Sequence, residues 1–253
     1  EYVNWFDSDD LMVPEKLELK VKAILEGNTD FFCCNGKYFG NTNNEKIIIN
    51  QGVVNPIVDY FMFGGTFSTP SIIWKKDILK DKKLFNEQLK RGQEYEFHFK
   101  MITLNYKFGI IRESLYEVRR GHESIESSKN ELQKKLSMYI VFSNCYYQAK
   151  KINFSYKPEI LNYLAHRILS LNLFIQTEVS FVERLDYLNK GVRFLLKCYN
   201  HKPIFEIIKK IFLLILFSFF QKGYKFIISQ KYSKEHLRNY IEKKENLKQC
   251  ALA

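Results

Sequence analysis

The feature that most constrains the fold is a change of sequence pattern near residue 129. Before it, short apolar runs alternate with turn residues, as in a chain that forms both strands and helices. Beyond it strand signals vanish, and apolar residues recur with the helical period of 3.6 over five segments, approximately 129–150, 158–175, 179–200, 203–221 and 232–248. The sequence therefore predicts an α/β domain over residues 1–128 and an all-α region over residues 129–253.

The charge balance changes at the same place. Residues 1–128 hold 17 Lys and Arg against 19 Asp and Glu, whereas residues 129–253 hold 22 against 9, so the net charges are −2 and +13. Such a contrast indicates different partners for the two regions. The basic residues of the second region are interleaved with aliphatic ones, and no motif that reads bases occurs. We therefore expect no nucleic-acid partner, and an anionic membrane surface becomes the alternative.

The first ten residues place a β-prone apolar run, Tyr2 to Phe6, directly before Asp7, Asp9 and Asp10. Carboxylates this close repel one another unless a cation or hydrogen-bond donors compensate. Asp7 and Asp9 leave a strand end at positions i and i+2, which suits a hard divalent cation that borrows further oxygen ligands from substrate phosphates. The alternative is an acidic segment before a helix that begins at Pro14, where acids favour the positive end of the helix dipole.

Local patterns also predict the other elements of the first region. Residues 93–101 are helical by pattern, so that Gln93 and Glu94 fall in the first turn. A carboxylate there either stabilises the helix dipole or points into a cleft. The remaining predictions are a helix over 14–25 with Leu17, Val21, Ile24 and Leu25 inward, a strand over 30–34, a loop over 35–46, a strand at 47–49, a helix over 56–63, a strand over 66–74 that contains Pro70, and a final strand or strand pair over 109–119.

An apolar run at 211–220 has lysines on both sides. Ten helical residues span about 15 Å, half of a bilayer's hydrocarbon core, so the run does not cross a membrane. Two interpretations stay open. The segment 203–228 either forms a helix buried in the core of the helical region, or lies in the plane of a membrane with its lysines at anionic headgroups.

The five cysteines, at positions 33, 34, 145, 198 and 250, form no C-x-x-C pair and are odd in number. With no signal peptide at its start, we expect reduced thiols in a cytoplasmic protein. Cys33 and Cys34 are expected to pack in a strand. The chain begins without Met in what is predicted to be the middle of a strand, so we expect it to be the back part of a longer protein.

Four stretches in order resemble glycosyltransferase family 2, which has the GT-A fold. Phe6-Asp7-Ser8-Asp9-Asp10 resembles the Asp-x-Asp motif of that family, and Thr69-Pro70-Ser71 resembles the wall of its acceptor side. The stretch from Leu89 to Phe97 is similar to the Gly-Glu-Asp-Tyr-Glu-Phe segment that carries the catalytic base. The stretch from Tyr116 to Ile125 is similar to the end of the catalytic domain. The resemblance covers residues 1–127 and implies the acceptor-side half of a GT-A domain.

The resemblance also implies roles for individual residues. Asp7 and Asp9 would hold Mn²⁺ or Mg²⁺ against the diphosphate of the donor, and Asp10 and His122 would contact the donor. Glu94 would be the base, at a position where the family usually has Asp, with Gln93 where it usually has Glu. Together with Gln93, two hydroxyl residues, Ser68 and Thr69, would line the acceptor side.

The function implied is transfer of a sugar, with inversion, from a nucleotide-diphosphate donor to an acceptor hydroxyl. The acceptor would be a glycan or a lipid-linked molecule of cell-surface polysaccharide or glycolipid synthesis, at the inner face of the cell membrane. The family's nucleotide-binding strands precede the Asp-x-Asp motif, and almost nothing precedes it here. The alternative is therefore a non-catalytic transferase half that acts as an interaction module at a membrane surface.

Overall fold

A computed structural model of the chain describes residues 1–40, 47–48, 55–62, 67–80, 82–104, 106–120, 130–198, 204–222, 227 and 233–252. The chain divides into two compact units. The first, here called the sheet unit, comprises Glu1–Glu87 and Gln93–Lys129; the second, the helical unit, comprises Gln88–Gly92 and Asn130–Ala253.

The sheet unit alternates strands and helices. Its strands are β1 (Tyr2–Val3), β2 (Leu11–Met12), β3 (Phe31–Gly40), β4 (Ile47–Ile48), β5 (Ile72–Lys75) and β6 (Phe108–Arg120), and its helices are α1 (Lys16–Gly27), α2 (Pro56–Met62) and α3 (Gln93–Ile102). Two 3₁₀ turns, Thr69–Ser71 and Lys76–Leu79, flank β5.

The strands form one sheet in the order β1-β5-β3-β6-β2, with β4 paired to β3. β3 and β6 are parallel, and the other pairs are antiparallel. Because β1 and β2 lie at opposite ends of this order, residues 4–10 cross one end of the sheet to join them. The acid cluster therefore lies over a sheet end rather than along one strand.

Two local predictions for this unit were wrong. The predicted loop starts too early, because β3 continues to Gly40, where it pairs with Arg120 of β6. The predicted strand over 66–74 is a strand only from Ile72, since Pro70 lies in the 3₁₀ turn that precedes it. The prediction of a final strand or strand pair over 109–119 is confirmed in its first form, because β6 is one continuous strand. For β3, pairing with β6, which is distant in sequence, overrode the local turn signal of Asn and Gly. At Pro70 the local effect of proline decided the structure, since its fixed φ and missing N–H favour the 3₁₀ turn over a strand.

The core of the sheet unit is aromatic. Phe31, from the middle strand β3, has its ring centroid 4.6 Å from that of Trp74 and 5.5 Å from that of Phe108. The cysteines of β3, Cys33 and Cys34, are fully buried as predicted. Rings from α2 and α3 pack in the same unit; those that are buried are Tyr60, Phe61, Phe97 and Phe99.

Two glycines of the sheet leave room for aromatic rings. A Cβ on Gly36 of β3 would lie 2.4 Å from the ring of Tyr116, and one on Gly109 of β6 would lie 2.2 Å from the ring of Phe32. Both distances are far shorter than a non-bonded carbon contact. The ring of Tyr116 therefore lies directly over the backbone of β3.

The helical unit agrees closely with the predicted segments. Its helices are α4 (Glu131–Lys151), α5 (Lys157–Glu178), α6 (Phe181–Cys198), α7 (Ile204–Phe220) and α8 (Lys234–Leu252). Capping residues explain several starts. Asn130 accepts a hydrogen bond from the N–H of Gln133, and Ser180 and Glu183 bond reciprocally in a capping box at α6.

A neutral polar network joins α5, α6 and α7 inside this unit. Gln176 donates to Asn172 Oδ1 at 2.7 Å and accepts from the Ser218 hydroxyl at 2.6 Å. Asn172 in turn donates to the Tyr187 carbonyl at 3.0 Å. Gly191 allows close packing at this point, because a Cβ there would lie 2.8 Å from the Leu214 side chain. The network therefore fixes which side of α7 faces inward.

Helix α7, which contains the apolar run, has one buried and one exposed side. Leu214 and Phe217 are buried, as a core helix requires, whereas Phe220 is 68% exposed. Leu213 is half-buried. Within the described ranges no helix is long and apolar enough to cross a bilayer.

Candidate functional site

The acid cluster is a turn held by a hydrogen bond from β6. The N–H of Asp10 donates to the carbonyl of Asp7 at 3.3 Å, which closes the turn. The N–H of Arg119 donates to Asp10 Oδ1, and its Nε donates to the Asp9 carbonyl, both at 3.0 Å. The guanidinium of Arg119 also lies 4.9 Å from the ring centroid of Phe39. The turn is therefore tied to the centre of the sheet.

The three carboxylates differ in environment. Asp7 and Asp9 are exposed, whereas Asp10 is half-buried. Burial raises the pKa of Asp10; the hydrogen bond from Arg119 opposes this, and the charges of Asp9 and Asp7 add to it. Asp10 thus orients the turn, while the carboxylates at its exposed edge face solvent.

An aromatic contact connects this turn with the start of α3. The ring of Trp5, two residues before Asp7, lies 5.4 Å from that of Phe97 and 5.5 Å from that of Phe85, both edge to face. Phe97 follows Glu94 by one helical turn. Glu94 is exposed in the first turn of α3, as predicted, and Gln93 is half-buried at its start.

The segment with Ser68 and Thr69 is held by three side chains. The hydroxyls of Ser68 and Tyr116 lie 2.7 Å apart. Lys16 Nζ donates to the carbonyl of Pro70 at 2.6 Å, and Lys20 Nζ donates to that of Ser71 at 2.5 Å. Ser68 and Thr69 are both half-buried. The segment is thereby fixed against α1 and β6.

The two lysines of α1 are the residues near the site that sequence reasoning missed. The predicted inward face is confirmed at Ile24, which is buried, and was wrong at Leu17 and Leu25, which are 45% and 67% exposed. Lys16 and Lys20 are buried in place of these leucines. The carbonyls of the 3₁₀ turn and the ring of Phe6, 4.1 Å from Lys16 Nζ, compensate the buried ammonium groups. Burial, together with the charge of Lys20, lowers the pKa of Lys16 to about 7.

The oxygen chemistry of Asp7 and Asp9 fits a hard divalent cation. Among the described residues, however, no three His, Cys, Asp or Glu side chains group closely enough to hold a metal. A cation at the pair would therefore need oxygen atoms from a bound phosphate and water to complete its ligand set. His122, the other predicted donor contact, lies outside the described residues.

Comparison with known proteins shows both sequence and fold similarity. The chain is 31% identical to an uncharacterized glycosyltransferase of Methanocaldococcus jannaschii over 148 residues, which are 55% of this chain and 49% of the relative. It thus spans about half the length of this curated relative. No protein-family profile matches the chain.

In structure the chain is similar to residues 1–349 of S. aureus TarS. The TM-score is 0.58 for TarS in complex with UDP-GlcNAc, with 19% identity over 94% of this chain and 66% of that one. For TarS in complex with UDP the TM-score is 0.55, with 17% identity, and the match covers 94% of this chain and 64% of that one. This likeness confirms the predicted α/β fold followed by a helical region.

Proposed function

We propose that the protein is an inverting glycosyltransferase of the GT-A type that uses a nucleotide-diphosphate sugar. The observation that carries this proposal is the exposed Asp7 and Asp9 pair on a turn anchored to β6 through Arg119. The similarity to a glycosyltransferase in sequence, and to a protein crystallised with UDP-GlcNAc in fold, supports it. A UDP-sugar is therefore the first donor to assay.

In this proposal the side chains divide the work. Asp7 and Asp9 would hold Mn²⁺ or Mg²⁺, and the bound ion would neutralise charge on the departing diphosphate. Glu94 accepts the proton of the acceptor hydroxyl while that oxygen attacks the anomeric carbon. The new C–O bond forms on the face opposite to the bond that breaks, so the configuration inverts.

The neighbouring residues hold the two substrates in place. Asp10 keeps the turn in register with β6, and His122 contacts the donor. Ser68, Thr69 and Gln93 line the acceptor side. The roles of Ser68 and Thr69 are supported by the hydrogen bonds that hold residues 68–71 to Tyr116 and to the two buried lysines. The acceptor is a glycan or lipid-linked hydroxyl used in cell-surface polysaccharide or glycolipid synthesis, at the inner face of the cell membrane.

Asp9→Asn in the full-length protein tests the metal role. We expect sugar transfer to be abolished and the melting temperature to stay nearly unchanged, since Asp9 is exposed. Binding of UDP in the presence of Mn²⁺, measured by calorimetry, should weaken in parallel. The matched control is Asp77→Asn, which removes another exposed carboxylate of the sheet unit. It should leave sugar transfer and UDP binding unchanged. Near-normal transfer by Asp9→Asn at all metal concentrations would refute the assignment.

The second candidate is a non-catalytic interaction module, which Gln93 in place of an acid favours. The same assay separates the two functions. A full-length protein that turns over no nucleotide sugar with either metal, yet binds membranes, would be the module.

A further inference from the structure

Helix α7 carries an unusual apolar face that points away from its own unit. The side chains on it recur at spacings of three and four residues, and all are exposed: Phe205, Ile208, Phe212, Ile215 and Phe219. Phe205 is 71% and Phe212 58% exposed. We call this set the outer stripe. Single exposed apolar residues are ordinary, but a contiguous row of them marks a contact surface.

The outer stripe continues onto the start of α6. The ring of Phe181 lies 5.9 Å from that of Phe219, edge to face. Phe181 is 51% exposed, and Val182 beside it is 77% exposed. The apolar surface therefore spans two helices and has five phenylalanine side chains on or beside it; they are Phe181, Phe205, Phe212, Phe219 and Phe220.

The stripe does not result from a loosely placed helix. On the opposite side of α7, Ser218 is 1% exposed and bonds to Gln176, while Leu214 is fully buried. Arg184 donates to the carbonyls of Gln176 and Ser218, at 2.9 and 3.3 Å. Rotating α7 to hide the stripe would leave these buried polar groups unpaired and would expose Leu214 and Phe217, so burying the stripe brings no net gain in apolar burial. The apolar face is thus held outward.

Charge indicates the occupant of this face. Lys209 is exposed and follows Phe205 by four residues, so it lies on the same side of the helix. Lys222 is exposed just after the end of α7. Residues 129–253 carry a net charge of +13. A second copy of the chain would bring two such regions together and be repelled, whereas anionic headgroups would be attracted.

The dimensions also suit a bilayer surface. The 17 residues of α7 span about 25 Å, shorter than a bilayer's hydrocarbon core of roughly 30 Å. A helix with phenylalanine side chains on one face and lysines at its border lies in the plane of the headgroups. We propose that the outer stripe, with Phe181 and Val182, is the surface by which the protein binds an anionic membrane. This inference does not rest on the transferase function proposed above.

Partitioning of the full chain onto vesicles tests this surface. The chain should sediment with phosphatidylcholine vesicles that contain about one third phosphatidylglycerol, and should bind pure phosphatidylcholine weakly. Binding should weaken at about 1 M salt without ending, since only the electrostatic part is screened. Replacing two phenylalanines, F205S together with F212S, should weaken binding by about 100-fold, because each removes the burial of a large apolar side chain.

The matched control is L17S together with L25S, two exposed leucines of α1 in the sheet unit, which should change binding less than about threefold. Lys209→Glu leaves the apolar face intact and should weaken anionic binding by roughly fivefold or more. If circular dichroism shows that the F205S, F212S variant is unfolded, the vesicle binding of Lys209→Glu tests the proposal instead.

Three results of the vesicle experiments would overturn the proposal. They are no sedimentation with anionic vesicles, equal loss in the α7 and α1 variants, and unchanged binding by Lys209→Glu. A dimer in analytical ultracentrifugation that F205S with F212S disperses would also overturn it, in favour of a second copy.

Discussion

The two units of the protein treat polar groups in opposite ways. The sheet unit buries two cations, Lys16 and Lys20, and leaves the carboxylates of Asp7, Asp9 and Glu94 exposed. The helical unit buries the neutral groups of Asn172, Gln176 and Ser218 and leaves apolar side chains exposed on α7. The first arrangement ties stability to protonation and keeps charged groups available for chemistry. The second fixes helix orientation independently of pH and presents a surface for contact.

The largest expected effect is on activity and concerns an exposed acid of the sheet unit. Glu94→Gln keeps the shape of the side chain and removes the proton acceptor, so kcat should fall by ~10²–10⁴-fold, while Glu94→Asp retains far more activity. The free energy of unfolding should hardly change, because the side chain is exposed. Glu87→Gln, an exposed glutamate nearby in the chain, is the control. A loss of kcat below about threefold would assign the base to another residue.

The next largest effect is expected from an acid placed in the neutral polar network of the helical unit, which would make the stability of this unit depend on pH as well. In Gln176→Glu the protonated side chain can still donate to Asn172 Oδ1 and accept from Ser218, so stability near pH 4 should approach that of the unchanged protein. Burial raises the pKa of the new carboxyl group in the folded protein above its unfolded value of about 4.3. Stability is therefore lost as pH rises from the unfolded pKa to the folded pKa.

The loss for Gln176→Glu should be about 3 kcal/mol at pH 7, measured by urea denaturation against the unchanged protein at each pH. Gln176→Leu, which cannot ionise, should cost about 2–3 kcal/mol at both pH values. Equal losses at pH 4 and pH 7 in the glutamate variant would show that residue 176 is hydrated.

A smaller effect concerns the sheet unit, where the buried Lys16 should make the free energy of unfolding depend on pH. The pKa of Lys16 is lowered to about 7 in the folded protein, against 10.5 for a free lysine. Between these values the unfolded chain binds the extra proton, so stability should rise with pH above 7. From pH 7 to 8.5 we expect a gain of roughly 1–2 kcal/mol. In Lys16→Met, a variant of similar length that cannot titrate, the part of this gain that comes from Lys16 should disappear, and any remaining rise is assigned to Lys20, whose pKa burial also lowers.

The sequence predicted the helical unit well because its signal is local. Each helix carries its own 3.6-residue pattern, and α4 and α6 also have local caps, Asn130 and the Ser180 and Glu183 pair. The choice of which apolar residues of α7 are buried was not predictable, because it depends on Gln176 and Arg184, which lie outside that helix. Both sides of α7 are apolar in sequence, so pattern alone does not distinguish them.

For the sheet unit the elements were predictable and their supports were not. The acid cluster stands out by composition, and the position of Glu94 follows from the pattern of α3. The burial of Lys16 depends on the Pro70 carbonyl, 54 residues away, and the anchoring of Asp10 depends on Arg119, 109 residues away. Hydrogen bonds over such separations leave no trace in a local window, so a lysine there is predicted to face solvent.

The packing of Tyr116 over Gly36 has a consequence for which sequences this fold tolerates. By strand propensity a glycine inside β3 is unfavourable, and a larger residue would be expected to improve the strand. Here any side chain at position 36 would displace the Tyr116 ring, and with it the hydroxyl that meets Ser68. A substitution that looks stabilising in the strand would thus disturb the segment proposed to receive the acceptor. The absence of a side chain at Gly36 therefore has a structural role. It lets Tyr116 connect the middle of the sheet to the segment that carries Ser68.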